Sequence, residues 1–121
     1  MAESVLIVDD HCGFRAWARH FLESTGYRVF GEASGGEEAI RAARRGQPDV
    51  VLLDVHLPDM DGFEVARLLA DEHGHHPRVV LISSREQADL GHRIAESGAI
   101  GFIGKEDLSA EALSALLDGR R

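Results

Sequence analysis

The chain has 121 residues, 44% of them hydrophobic and 28% charged, which suits one compact domain with its own core and rules out a disordered composition. A formal net charge of -8 argues against direct binding to nucleic-acid backbones; no apolar run approaches the roughly 18 residues of a membrane span, and "MAESVLIVDD" has no basic region or cleavage site of a signal peptide. Cys12 stands alone, so an internal disulfide and a CxxC redox pair are both excluded, and together these features place the expected site of action in the cytoplasm.

The pattern alternates short apolar runs with longer amphipathic ones. "SVLIVDD" (4–10) reads as a buried strand ending in two acids. In "FRAWARHFLESTG", Phe14, Trp17, Ala18, Phe21 and Leu22 recur at helical spacing, with Trp17 and Phe21 expected in the core and Gly26 as the stop. "YRVFGEA" (27–33) alternates like a less buried strand. Ser34 and Glu37 then have the S-x-x-E spacing of a capping box, so a helix is expected across "SGGEEAIRAARRG". Its Glu37, Glu38, Arg41, Arg44 and Arg45 read as a solvated face.

"PDVVLLD" (48–54) is the third strand, and Asp61 and Glu64 open a helix across "DGFEVARLLADEHG" at cap spacing. "PRVVLIS" (77–83) is the fourth strand, followed by a more polar helix, "SREQADLGHRIAESG", with Ser84 and Gln87 at cap spacing. "AIGFI" (99–103) is the fifth strand, and "SAEALSALLDG" the last helix. Apolar strands separated by helices imply an α/β, doubly wound parallel sheet covered on both faces, a (βα)5 sandwich. Ligands of such sheets bind outside the carboxyl ends of the strands.

Those ends hold Asp9 and Asp10 after strand one, Asp54 after strand three, Ser83 and Ser84 after strand four, and Lys105 just beyond strand five. The end of strand two, near Glu32 and Ser34, offers nothing comparable. Clustered carboxylates repel unless a cation intervenes. Oxygen ligands in an incomplete shell suit Mg2+, and a neutralised pocket lets one carboxylate approach an anionic phosphoryl donor.

With Asp9-Asp10, Asp54 in "LLDVHLPDMDG", Ser83 in "VVLISS" and Lys105 in "GAIGFIGK", the whole chain resembles the receiver domain of two-component response regulators. The resemblance implies the flavodoxin-like strand order 2-1-3-4-5, with strands one and three adjacent at the switch point. It implies that Asp54 accepts a phosphoryl group from a sensor histidine kinase or phosphotransfer protein. Asp10 would hold Mg2+ directly and Asp9 through water, with Asp54 and the carbonyl of His56 completing the protein's share. Ser83 and Lys105 would hold the transferred group, and Phe102 would report its presence to the face formed by helix four, strand five and helix five. That face would engage a downstream protein or a second copy. Enzymatic activity beyond self-phosphotransfer and autodephosphorylation is not expected.

Several positions depart from the family pattern. Glu106 follows Lys105 where many receivers have proline, so a trans peptide is expected; Gly104 is expected to loosen the end of strand five; His56 and Arg85 occupy variable rim positions. Because "LLDGRR" follows helix five directly, a stand-alone receiver is favoured over the receiver piece of a longer transcription factor.

Other readings fit less well. His73, His75 and His76 in "DEHGHHP" read as solvated loop histidines rather than a zinc site. "DMDG" echoes a calcium loop, but the EF-hand register would begin at Leu57 and end at Leu68. An Mg2+-dependent phosphatase would want a D-x-D pair where Asp54-Val55-His56 stands. A flavodoxin-like cofactor carrier would need a Ser/Thr/Gly-rich loop where "DDHCG" stands.

Overall fold

The computed structural model describes residues 3–71, 74, 76–84 and 91–118. The elements are β1 (Ser4–Val8), α1 (Cys12–Ser24), β2 (Arg28–Ala33), α2 (Gly36–Gly46), β3 (Val50–Asp54), α3 (Gly62–Ala70), β4 (Arg78–Ser83), α4 (Gly91–Ser97), β5 (Gly101–Gly104) and α5 (Ala110–Leu117). A 3-10 turn, Lys105–Asp107, joins β5 to α5. The sheet runs β2-β1-β3-β4-β5, parallel throughout, as a βαβ alternation demands.

The uninterrupted apolar strands are buried on both faces because side chains alternate across the sheet. Leu6, Val8, Val51, Leu53 and Leu81 meet Ala39 and Ala43 of α2 and Phe63, Ala66 and Leu69 of α3. Val5, Ile7, Val50, Leu52, Val80 and Ile82 meet Ala18 and Leu22 of α1 and Leu113 and Leu117 of α5. The register sets Val8 beside Leu53 and Asp54 beside Ile82, so the ends of β1, β3 and β4 stand side by side.

Two local expectations are corrected. Trp17 is 48% exposed rather than core: Ala18 and Leu22 carry the buried stripe of α1, and Trp17 lies about 100° around the helix from Ala18. Its indole stacks on the half-buried Phe21 ring, centroids 5.2 Å apart, with Phe14 at 5.9 Å on the other side. The capping box at Ser34 uses Glu38 rather than Glu37, since Glu38 Oε1 accepts from both the N–H and the hydroxyl of Ser34. The α2 N-terminus is capped from outside the helix: Asp59 accepts from Gly36 N–H at 2.8 Å and Glu37 N–H at 3.1 Å. Glu37 pairs instead with Arg41 at 3.8 Å.

The Asp61 cap forms as expected, accepting from Phe63 N–H; α5 is capped as well, Ser109 accepting from Ala112 N–H. Gly104 pairs with Ser83 in the β4–β5 ladder, and no cis peptide occurs among the described residues. Strand one stops at Val8, leaving Asp9 and Asp10 beyond it. Gln87, Arg85, His73 and His75, with the expectations placed on them, lie outside the described residues; His76 is exposed.

Candidate functional site

The chain leaves each central strand at the same rim of the sheet, and the polar side chains gather there. Asp9, immediately after β1, is wholly buried, and Asp54, the last residue of β3, is 3% exposed. Lys105 begins the turn after β5 and reaches back across the crevice. Its Nζ lies 2.6 Å from Asp9 Oδ2 and 3.3 Å from Asp54 Oδ2. The ammonium also rides 4.5 Å above the Phe14 ring, so α1 supplies one wall that holds the lysine over the acids.

Backbone geometry fixes both carboxylates. Asp54 Oδ1 accepts from His56 N–H at 3.0 Å, while Asp9 Oδ1 accepts from His11 N–H at 2.8 Å. The guanidinium of Arg15 donates to the Asp9 carbonyl at 2.7 Å, and its Nε, together with Arg19, occupies Glu32 at the end of β2. Gly62 lets α3 begin against β3: a Cβ there would stand 2.4 Å from the Asp54 carbonyl oxygen. An antiparallel bridge between His56 and Asp61 closes the intervening turn.

Charge is unevenly distributed among these groups. Burial pushes Asp9 up, but hydrogen bonds from Lys105 and from the His11 N–H outweigh it, and its pKa falls below 3.8. At Asp54 burial is again the largest influence; the His56 N–H opposes it, the Asp9 charge adds to it, and its pKa rises. Burial lowers Lys105, yet Asp9 and Asp54 together raise it, so the lysine stays charged.

Asp10 is half-exposed, and His11 Nδ1 stands 3.1 Å from Asp9 Oδ1 and 3.2 Å from Asp10 Oδ1. One ligand atom from each of Asp9, Asp10, His11 and Asp54 falls within 4.8 Å of the others. Asp9 Oδ2 is buried and faces the Lys105 ammonium at 2.6 Å. Buried carboxylate oxygens with spare lone pairs, beside a half-exposed acid, fit a hard divalent cation that keeps some of its water.

Ser83 is buried at the end of β4, opposite Gly104, while Ser84 is exposed. Phe102 is half-buried on β5 opposite Leu81 and packs on the core shared with α2 and α3. The rim therefore brings together Asp9, Asp10, Asp54 and Lys105. His56 takes part through its backbone, its side chain being exposed. Sequence reasoning did not single out Phe14 beneath the lysine or His11 between the acids; a histidine directly after a strand-end acid pair was the available signal.

Residues 5–118 match the response regulator receiver domain family. A putative transcriptional regulator of Pseudomonas aeruginosa is 38% identical over 92% of this chain and 53% of its own length. A protein-glutamate methylesterase/protein-glutamine glutaminase of Hahella chejuensis is 44% identical over 79% of this chain and 28% of its own. The chain thus spans about half or less of these relatives. The signal receiver domain of the putative response regulator NarL from Mycobacterium tuberculosis superposes with a TM-score of 0.86 at 34% identity, covering 98% of this chain and 95% of that one.

Proposed function

The chain belongs to the response regulator receiver domain family, and from that premise we propose that it is a phosphorylation-dependent signalling switch with Asp54 as its acceptor. The observation that carries this reading is Lys105 Nζ set 2.6 Å from Asp9 and 3.3 Å from Asp54 at the ends of parallel strands. A bound Mg2+, held by Asp10, Asp54, the His56 carbonyl and, through water, Asp9, supplies positive charge that cancels the repulsion among the acids and orients phosphoryl oxygens.

The protein's own part is positioning. The rigid end of β3 and the His56 N–H hold the Asp54 carboxylate still while one of its oxygens attacks the phosphorus of a phosphohistidine. The new bond is P–O to Asp54; the P–N bond breaks and the donor imidazole leaves with its electron pair. Lys105 and the Ser83 hydroxyl then face the oxygens of the transferred group. Ser83, drawn toward that group, vacates space for Phe102, and the face formed by α4, β5 and α5 changes population.

The donor is a sensor histidine kinase or phosphotransfer protein, the setting is the cytoplasm, and the output is a downstream protein or a homodimer through that face. A second reading, the receiver portion of a DNA-binding regulator, is favoured by the 53% share of the Pseudomonas aeruginosa relative that the chain spans. Incubation with acetyl phosphate and Mg2+, followed by intact-mass spectrometry, tests the acceptor. One phosphoryl group should appear on the wild type and none on Asp54→Asn. An unchanged mass for the wild type, or equal labelling of both proteins, would refute the assignment.

A further inference from the structure

We propose that Phe14 is a positioning residue for Lys105, the face of its ring holding the ammonium over the crevice while the carboxylates are engaged by the reaction. The inference rests on the phosphoacceptor reading given above and adds a residue of α1 to it. Lys105 Nζ stands 2.6 Å from Asp9 Oδ2, 3.3 Å from Asp54 Oδ2 and 4.5 Å from the centroid of the Phe14 ring. Both acids are claimed by the proposed chemistry, Asp54 as acceptor and Asp9 as part of the cation's shell. The ring is uncharged and claimed by neither, so it is the contact that stays with the lysine.

Two further observations favour a role for the ring face over mere filling of space. Phe14 stands four residues before Ala18 and eight before Leu22, in the row that α1 turns to the core, yet it is only half-buried. It packs on the core shared with α5, and the ammonium lies over its face. Its orientation is also supported from the side. Trp17 flanks it at 5.9 Å and 36° and is itself stacked on Phe21 at 5.2 Å and 5°. A leucine there would fill core volume but present no negative face. The ring quadrupole attracts an ammonium within about 6 Å, more strongly where water is scarce, and the Lys105 side chain is 16% exposed. Because the lysine stem is flexible, a fixed contact beside the crevice restricts where the ammonium stands when the phosphoryl oxygens arrive.

The test uses the full chain with Phe14 replaced by mono-, di- and trifluorinated phenylalanine, which drain charge from the ring face at nearly constant size. Phe14→Tyr and Phe14→Leu complete the series. In the metal-free wild type, heteronuclear NMR should place the Lys105 Cε protons upfield of ordinary lysine through the Phe14 ring current, and Phe14→Leu should return them. Labelling by acetyl phosphate at saturating Mg2+ should slow stepwise with fluorination, by about three- to tenfold across the series. Phe14→Leu should be as slow as the trifluorinated protein, and Phe14→Tyr close to wild type. Calorimetric titration sets the Mg2+ concentration that saturates each variant, and circular dichroism checks that each folds.

Equal labelling rates across the fluorinated series, or ordinary Lys105 Cε shifts in the wild type, would overturn the inference while leaving Asp54 as the acceptor. If acetyl phosphate leaves the wild type unmodified, the proposed function falls and the inference with it.

Discussion

Asp54→Asn should stabilise the metal-free protein at pH 7. Asp54 and Asp9 present ligand oxygens no more than 4.8 Å apart, which at an effective dielectric constant of 20 is a repulsion of about 3.5 kcal/mol. Lys105 at 3.3 Å from Asp54 returns about 5 kcal/mol on the same scale. The two Coulomb contributions nearly cancel, so the sign is set by taking a charged carboxylate out of water, which costs several kcal/mol. Asparagine keeps the bond to the His56 N–H.

The expected gain is about 1 to 3 kcal/mol, or roughly 4 °C in Tm per kcal/mol for a chain of this size. Calorimetric melting in EDTA measures it. Burial, with Asp9 repulsion added, raises the folded pKa of Asp54 above 3.8, so the folded state holds that proton more tightly than the unfolded chain does. This contribution to wild-type stability is complete below pH 3.8 and is lost as pH rises through the elevated folded value. The gap between variant and wild type should therefore be small near pH 3 and open toward pH 7. Saturating Mg2+ should narrow it by stabilising the wild type, by about 2.7 kcal/mol at one hundred times Kd. A destabilised variant at pH 7, or a gap independent of pH, would refute the reasoning.

Asp59→Ala removes the cap on α2 and should cost about 1 kcal/mol in urea unfolding. The Gly36 and Glu37 N–H groups hold the Asp59 carboxyl below 3.8, so the stability it contributes is present above pH 3.8 and lost as pH falls through the lowered value. Trp17→Ala should cost under about 1 kcal/mol while Leu22→Ala costs about 2 to 5, because the first side chain is half exposed and the second wholly buried. The same unfolding series reads both. Gly62→Ala drives a Cβ to 2.4 Å from the Asp54 carbonyl oxygen and 2.6 Å from Val55 Cα; a loss of about 2 kcal/mol or more is expected, together with slower labelling by acetyl phosphate.

The sheet and its polar rim were legible because both depend on where apolar runs stop. A run buried on both faces must end where the chain leaves the core, and in a parallel sheet all such carboxyl ends share a rim, so Asp9, Asp54 and Lys105 could be grouped by counting. Rotation of α1 about its axis was not legible. Phe14, Trp17, Ala18, Phe21 and Leu22 form too wide an apolar arc for periodicity to choose a stripe, and contact with β1 and α5 turned Ala18 and Leu22 inward. Nor was the α2 cap: Ser34 and Glu37 have the local spacing, but Asp59, 23 positions from Gly36, reaches the free N–H groups first.

The packing also bears on where a charge added at Asp54 can be felt. The β3 side is clamped: Gly62 sits against the Asp54 carbonyl, and α3 behind it buries Phe63, Val65, Ala66 and Leu69. Among its described residues α4 buries only Ser97, whose hydroxyl is occupied by the Ile94 carbonyl and the Ala99 N–H. α4 meets this half of the molecule through Ile94, which packs on the shared core, and through Arg93, which lies 4.4 Å above the Phe63 ring and pairs with Asp61. The same Asp61 carboxylate caps α3, and the Asp61 backbone bridges to His56, two residues after Asp54. Apolar burial resists local opening more than exposed ion pairs do. The end of β3 and α3 therefore resist local opening more than α4 does, and the Asp61 carboxylate touches both helices.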